Sequence, residues 1–561
     1  MTAPEQPPAG GAPPDTPPDP VGDTTASGDG TTTVFTGFRL WSGEQGPTGP
    51  EGWLRIRDGR VLDSGEGSPP AADRTVHGNG RHLLPGFVDN HLHLTGAALL
   101  SGAPDGAAWQ SWDEAAAALE REAATAPANG WLLAHGLDLD RFGPPPRLLA
   151  ARLAEAAGGR RVLLADRSLH RGAASSPVLR ELSTSGLPRY DVPHGRDRGV
   201  LYESAFGRAW GTALRDRAGA VEEALDGVAA TLLSLGVTRA HEPGVSVAQA
   251  AGLARLAART PLRLSWSLAE PDGFLDAARP ETAAATAEAG ATGVKVFLDG
   301  AHRCAMCLPA PVAWRSLRVT AATSLRDRTA WPWAALLSAR PRLEGSHVHS
   351  GDLRLADDAL RHVADADGAG LLRVHAMGNR ALTQAARVLS GRRAVLEHAM
   401  AVDEAGLAAL AGSGLAVSTQ PGFLGSYGEA IRARGMQPEF SLFPLRALRE
   451  AGVPVAISSD HPCGPLDPLG NLRYAVHRRT PDGRELDAGQ ALRPGEAVQA
   501  AGPVAARQLD GPDRPAGLEP GAPADLVLCD GEPAAEATRA VATYVGGRRV
   551  WSAAGGTSPP A

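Results

Sequence analysis

Cysteine is scarce in this sequence. Cys304, Cys307, Cys463 and Cys529 are scattered through 561 positions, too few and too dispersed for a disulfide framework, which points to a reducing, cytoplasmic setting. No apolar run is long enough to span a bilayer. The N-terminus lacks the basic stretch and apolar core of a secretory signal. The net charge of −7 is mild for this length and leaves neither an electrostatic footprint for nucleic acid nor a basic patch for a membrane surface. There is no Gly-x-Ser-x-Gly elbow, and the glycines are dispersed rather than gathered in a phosphate-binding loop. With 43% hydrophobic and 21% charged residues, the composition is that of a globular protein.

Residues 1–30 are rich in Pro, Gly, Thr and Asp, hold no aromatic side chain and are expected to be a disordered tail. From 31 to 84 short strands alternate with turns, and Asp58-Gly59 marks a hairpin between two of them. An Ala-rich helical segment from about 107 to 235 carries two short apolar runs, at 130–135 and 162–165. Beyond it, a helical segment ending in SLGVTRAHE leads to PLRLSWSLAE, GVKVFLDG, LLRVHAMG, AVLEHAM, GLAVSTQP and PVAISSDHP. Short apolar strands separated by helices predict a parallel sheet with crossover helices. With the strand at 85–93 there are about eight, the number of a closed (β/α)₈ barrel spanning 85–504 with an α/β insertion. Residues 505–552 return to strands, with a turn at Gly546-Gly547. They are expected to join 31–84 in one small β-sandwich, since neither end is large enough for a core alone. A tail at 553–561 closes the chain.

The stretch Pro85–His93 reads as a strand ending in His91-Leu92-His93. Side chains at i and i+2 of a strand share a face, so two imidazoles at this spacing can hold one metal ion. Alone the pair is weak. The later strands add Lys295, His375, His398 and Asp460 near their ends, and a barrel converges its C-terminal strand ends on one point. His, carboxylate and a lysine together form a metal-site inventory.

The pieces PGFVDNHLHL, GVKVFLDGA, VHAMGNRA, LEHA, SSDHP and APADLVL, in this order, resemble the amidohydrolase superfamily. Within it they are most similar to amidohydrolase family 3, the branch that includes N-substituted formamide deformylase. LGVTRAHE and GVLYESA are also similar to this branch, and the resemblance covers about 33–551. It implies a (β/α)₈ metal-dependent hydrolase in which a metal-bound hydroxide cleaves a non-peptide C–N bond of a small-molecule substrate, an amide, N-formyl or cyclic amide, with a homodimer left open. His91 and His93 would bind one metal, zinc being expected. His375 and His398 would bind a second, or one of them would assist the substrate. Lys295 would bridge after carboxylation by CO₂, since an ammonium has no lone pair for a metal; the plain alternative is a salt bridge to Asp299 or Asp460. Asp460 would contact metal and shuttle protons.

Two positions depart from the branch pattern. Asn379 stands where the branch has Asp, which bears on support for His375, and Ser175 stands where an Asn follows His170. His170 is a candidate to reach the substrate from the insertion, against a surface loop histidine. Arg303 is a candidate for an anionic substrate group. His302, Cys304 and Cys307 have the spacing of a structural zinc site without a fourth ligand, so these cysteines and Cys463 read better as soft pocket lining. Trp314, Trp331 and Trp333 wall the pocket or belong to the core. His347-Val348-His349 lies in a Gly- and Ser-flanked loop and is not expected to ligate. Glu397 and His461 alternate away from the site. Two other readings stay open: a mononuclear-metal heterocycle deaminase, and a non-catalytic barrel acting as a binding or assembly partner.

Overall fold

The protein is represented by a computed structural model that describes residues 30–47, 49, 51–126, 130–192, 198–269, 285–326, 328, 331–366 and 370–553. The two tails expected from composition, 1–30 and 553–561, fall outside the described residues but for Gly30 and Ala553.

Eight parallel strands form the central sheet: Phe87–Asp89, Val237–Val245, Arg263–Leu268, Gly293–Phe297, Leu371–Ala376, Ala394–His398, Ala416–Thr419 and Val455–Ile457. They are numbered first to eighth below. Each strand follows its predecessor in the sheet. The fourth, fifth and sixth are buried at every position, which is why they read as near-continuous apolar runs rather than alternating ones. The barrel is nearly closed. Between the eighth and first strands the contact is made beyond the ladder, where Asp460 N donates to His91 O at 2.8 Å and His93 N donates to His461 O at 2.8 Å.

Two details differ from expectation. The first strand stops at Asp89, and His91 and His93 lie just beyond it, before the helix Leu94–Leu99. The chain leaves the ladder there because its backbone groups turn to the loop after the eighth strand. Also, VTRAHE is not the end of a helix. The helix stops at Ser234, and Val237–Val245 is a nine-residue barrel strand, in keeping with its β-branched Val237 and Thr238.

Both chain ends share a second sheet. His82–Pro85 pairs antiparallel with Leu526–Cys529, with Leu83 opposite Leu528. Strands from 32–77 extend it on one side and those from 540–552 on the other. Phe35, Phe38, Leu54, Leu526 and Tyr544 form its core. Asp58 and Gly59 have φ of 49° and 72°, and Gly546 and Gly547 have 56° and 74°. Both pairs therefore occupy the left-handed region that two-residue hairpins require.

Two excursions leave the barrel mouth. The first, between the first and second strands, builds a four-stranded sheet from Trp131–Leu137, Arg161–Asp166, Arg171–Ala174 and Val200–Tyr202 over its own apolar core. Its turn at 167–170 reaches back to the barrel. The second, between the fourth and fifth strands, holds His347–Ser350 in a three-stranded sheet with Met306–Pro309 and Arg342–Glu344. His347 and His349 sit there, away from the barrel strand ends. Trp314, on the neighbouring helix Ala310–Arg326, is 66% exposed and belongs neither to the core nor to the cleft wall. Among the described residues no helix is long and apolar enough to cross a membrane.

Candidate active site

The polar side chains at the barrel mouth rest on a polar layer inside the barrel. Arg373, on the fifth strand, is fully buried and donates from Nε to Glu397 Oε1 at 2.5 Å and from Nη2 to Asn90 O at 2.6 Å. The other Glu397 oxygen lies 2.6 Å from His91 Nδ1, which leaves His91 Nε2 to face the mouth. Glu397 thus alternates away from His398, as its strand position predicts, and orients a neighbour's ring instead. Removing its charge leaves the Arg373 guanidinium buried and uncompensated. Glu397→Gln is therefore expected to destabilise the fold by about 3–5 kcal/mol, read as a lowered midpoint in denaturant unfolding; an unchanged midpoint would contradict the pairing.

The other imidazoles are oriented in the same manner. His375 Nδ1 is 3.0 Å from Asp299 Oδ1. That carboxylate is itself fixed by the backbone N–H groups of Ala305, Met377 and Gly378. His398 Nδ1 is 2.9 Å from Gln420 Oε1. His93 Nδ1 is 3.7 Å from Glu242 Oε1, and Glu242 accepts from Thr95 N at 2.9 Å and Thr95 Oγ1 at 3.0 Å. Partners that fix tautomer and ring angle in this way are the usual outer support of metal-ligating histidines.

Asp460 closes the set. Its Oδ1 lies 3.4 Å from His91 Nε2 and 3.3 Å from His93 Nε2, and its Oδ2 lies 3.8 Å from His398 Nδ1. Among the described residues, one group of three or more possible ligands comes together: His91, His93 and Asp460, with ligand atoms within 4.8 Å of one another. The His375 and His398 rings stand beside it, 4.6 Å apart between centroids, with His398 5.0 Å from His91. Asp460 Oδ1 and His375 Nε2 are buried without a hydrogen-bond partner. Such atoms are costly unless something binds them, and a divalent cation suits this nitrogen and oxygen donor set. His398 and Asp460 have φ of 77° and 51°, a strain of about 1–3 kcal/mol each that is usual at functional sites.

The electrostatics agree. Burial alone would raise the Asp460 carboxyl, but His91, His93 and His398 outweigh it and hold it well below the usual range. Burial alone would lower His93, but the carboxylates of Asp460 and Glu242 lift its imidazole to about 9. The site therefore attracts positive charge. Burial lowers His398 to about 3 and holds His375 and His91 well below the usual imidazole range, so these three present neutral nitrogens, the form that ligates.

Lys295 is the only lysine in the sequence. On the fourth strand it alternates with Val294 and Val296 and points into the barrel. It is buried, its Nζ lies 5.4 Å from the Phe297 ring centroid, and it makes no ion pair or hydrogen bond among the described residues. Neither salt bridge considered for it, to Asp299 or to Asp460, is formed. Burial lowers its ammonium to about 8.

A cleft of about 900 Å³ opens over the site, lined by His375, His398, Asp460, Phe423, Tyr427 and, from the excursion, His170. His170 is buried, with Nδ1 2.9 Å from Glu203 Oε2 and its ring 5.4 Å from that of His375. Arg303 is placed otherwise. Its guanidinium is buried against Asp191, Tyr190 O and Ser338 O and sandwiched by the Tyr190 and Tyr202 rings, with no part in the cleft wall. His302 lines the cleft and meets Ser338; it does not gather with Cys304 and Cys307. Cys463 is buried in the cleft wall, its thiol 3.4 Å from Ser168 O. Asn379 binds Asp403 and the Cys307 backbone, so the support of His375 falls to Asp299 alone. Ser175 bonds to Val162 N and Arg160 O within the excursion, apart from His170.

Sequence reasoning overlooked Glu242, Gln420 and Glu203. Glu242 and Glu203 lie in LGVTRAHE and GVLYESA, stretches whose likeness to the family was the available signal. Gln420 follows a strand as an ordinary polar residue and carries none. Lys295 had a stronger signal, its solitude among 55 basic residues counted as lysine and arginine.

A model of the amidohydrolase family matches residues 74–551. N-substituted formamide deformylase of Arthrobacter pascens is 26% identical over 511 residues, 84% of this chain and 88% of that relative. The putative amidohydrolase YtcJ of Bacillus subtilis (strain 168) is 26% identical over 467 residues, 76% of this chain and 80% of that relative. An uncharacterized metal-dependent hydrolase from Pyrococcus horikoshii OT3 superposes with a TM-score of 0.65 at 20% identity, covering 90% of this chain and 98% of its own; this likeness concerns the fold. With the matched span running from the sheet shared by the chain ends through the whole barrel, the chain belongs to the amidohydrolase family, enzymes that hydrolyse carbon–nitrogen bonds.

Proposed function

We propose that the protein hydrolyses the C–N bond of an amide, N-formyl or cyclic amide group in a small organic molecule, using divalent ions of which zinc is the expected one. The observation that carries this reading is the Asp460 carboxylate, buried with an oxygen that makes no hydrogen bond and lies 3.4 and 3.3 Å from His91 Nε2 and His93 Nε2. Those three residues would hold one ion. His375, His398 and Lys295, the last as its CO₂-derived carbamate, would serve a second position or, for the histidines, the substrate. An ion bound there supplies two things: it acidifies coordinated water and polarises a carbonyl.

The chain's own groups supply the rest. Asp460 is the one carboxylate of the cleft wall without an arginine partner, since Asp140 and Asp166 are both tied to Arg171. It is thus the group able to take a proton and return it to the departing nitrogen. His170, held by Glu203, points an imidazole into the cleft beside His375 and would hydrogen-bond the substrate carbonyl or its leaving group. Phe423 and Tyr427 keep the site dry on one side. The name of the Arthrobacter relative favours N-formyl groups within the amide class.

Chelation followed by dialysis is expected to abolish hydrolysis across a panel of N-formyl, N-acyl and cyclic amides, and readdition of zinc to restore it. Release of amine is the readout. Turnover that persists in metal-stripped protein, or a zinc-loaded protein inert towards the whole panel, would refute the proposal.

A further inference from the structure

Helix Phe423–Arg434 supplies one wall of the cleft with a single face. Phe423, Tyr427, Ala430, Ile431 and Arg434 all line it, at spacings of four, seven, eight and eleven residues from Phe423, which place them on one side of a helix. The inner end is fixed to the site: the Phe423 ring stacks on that of His398, with centroids 6.5 Å apart and planes 14° from parallel. The outer end is Arg434. The wall therefore runs from the candidate metal ligands, along a stretch that is apolar but for the Tyr427 hydroxyl, to a cation.

Arg434 differs from the other two arginines of the cleft wall, Arg167 and Arg171. Arg171 is paired with Asp140 and Asp166. Arg167 is paired with Asp138 and lies over the Tyr427 ring. Arg432, two residues away in the same last turn, is held by Asp482 and Thr480 on another face. Arg434 is exposed and makes no hydrogen bond or ion pair among the described residues; its charge acts on the Asp140 carboxyl and the Cys304 thiol only at a distance. Arg303, the arginine the sequence suggested for an anion, is locked away, and Arg434, without a partner among the described residues, lines the cleft instead.

Resting on the hydrolase reading above, we infer that the substrate is an amide with an extended apolar segment ending in an anionic group, a carboxylate being the simplest, and that Arg434 binds that anion. The helix sets the length. Eleven residues span about 16 Å. Allowing roughly 6 Å for the arginine side chain to reach back, the anion sits on the order of 10 Å from the reacting group. A planar guanidinium suits a carboxylate through two parallel N–H bonds.

The test uses the zinc-loaded enzyme and three benzamides. These are 6-benzamidohexanoate, whose carboxylate lies about 8 Å from the amide carbon when extended; neutral N-hexylbenzamide; and benzamidoacetate, whose charge is too close to the amide. Calorimetric Kd values and hydrolysis rates are measured for each. The long anion is expected to bind about tenfold more tightly than the neutral amide, a charge-assisted contact discounted for exposure. The short anion should show no such advantage, and the preference should shrink as salt is raised. In Arg434→Ala the ratio of the two long ligands should fall to about one, and Arg434→Lys should keep part of it. Arg432→Ala removes the same charge from the same helix end and should preserve the ratio, which separates anion binding from a helix-dipole effect.

A wild-type ratio near one, no measurable binding of the long anion, or a ratio that survives in Arg434→Ala would overturn the inference, while cleavage of the neutral amide would leave the hydrolase reading intact. A ratio lost in Arg434→Ala but with none of the benzamides cleaved would uphold the anion site and tell against these amides as substrates.

Discussion

Asp460→Asn lowers turnover by about a thousandfold while the protein keeps its metal: this is the expected result, measured as kcat beside elemental analysis of the same sample. The magnitude is that of a lost general acid–base group, about 10²–10⁴. The substitution preserves shape, and an amide oxygen can still face the gap between His91 Nε2 and His93 Nε2, where the carboxylate Oδ1 lies at 3.4 and 3.3 Å. What is lost is the ability to accept a proton. No neighbour can substitute, because Asp140 and Asp166 are committed to Arg171, and Glu242 lies behind His93, bonded to Thr95. His93, lifted to about 9 by the Asp460 and Glu242 carboxylates, stays charged beside Asp460 through mildly acidic pH, and the Asp460 carboxyl, held well below the usual range against burial, remains an available base there. Undiminished turnover in the variant would remove Asp460 from the mechanism. Loss of metal together with activity would instead make it chiefly a ligand.

The sequence was most legible where one residue type had one physical job. Lys295 on a strand of β-branched residues, His375 and His398 ending the next two, and Asp460 after the eighth could be read because apolar runs of barrel length put their ends in one place. The shared sheet of the two chain ends was legible from turn chemistry, Asp58-Gly59 and Gly546-Gly547, and from the inability of either end to bury a core. Side-chain partnership was not. Arg303 and Arg434 are both arginines near cleft residues, and only tertiary packing decides that Asp191 captures the first and leaves the second free. In the same way, the exchange of Asp for Asn379 was expected to bear on the support of His375, whereas that support comes from Asp299, itself held by three backbone N–H groups. The first strand was overestimated because its hydrogen bonds to the loop after the eighth strand are non-local and have no local sequence trace.

Lys295→Ala is expected to remove one metal ion per chain and to lower turnover at least a hundredfold, with partial rescue by a small carboxylate such as propionate added to the assay. An ammonium inside a barrel without an ion pair or hydrogen bond is penalised by several kcal/mol, and burial already lowers this one to about 8, which raises the share of neutral amine at physiological pH. A neutral amine can add CO₂ and release a proton. The carbamate formed carries two oxygens and a negative charge, and the surrounding imidazoles, held neutral by burial, leave that charge for a cation to balance. The chain offers an unusually clean measurement, because Lys295 is its only lysine. Protein equilibrated with ¹³CO₂ should show one carbamate resonance, absent in Lys295→Ala and lost together with metal on acidification. Propionate, placed in the space the side chain leaves, supplies the missing oxygens and should restore both metal content and activity. Unchanged metal loading in the variant, or no ¹³C signal in the metal-loaded wild type, would rule out the carbamate and leave Lys295 as a free amine within the barrel.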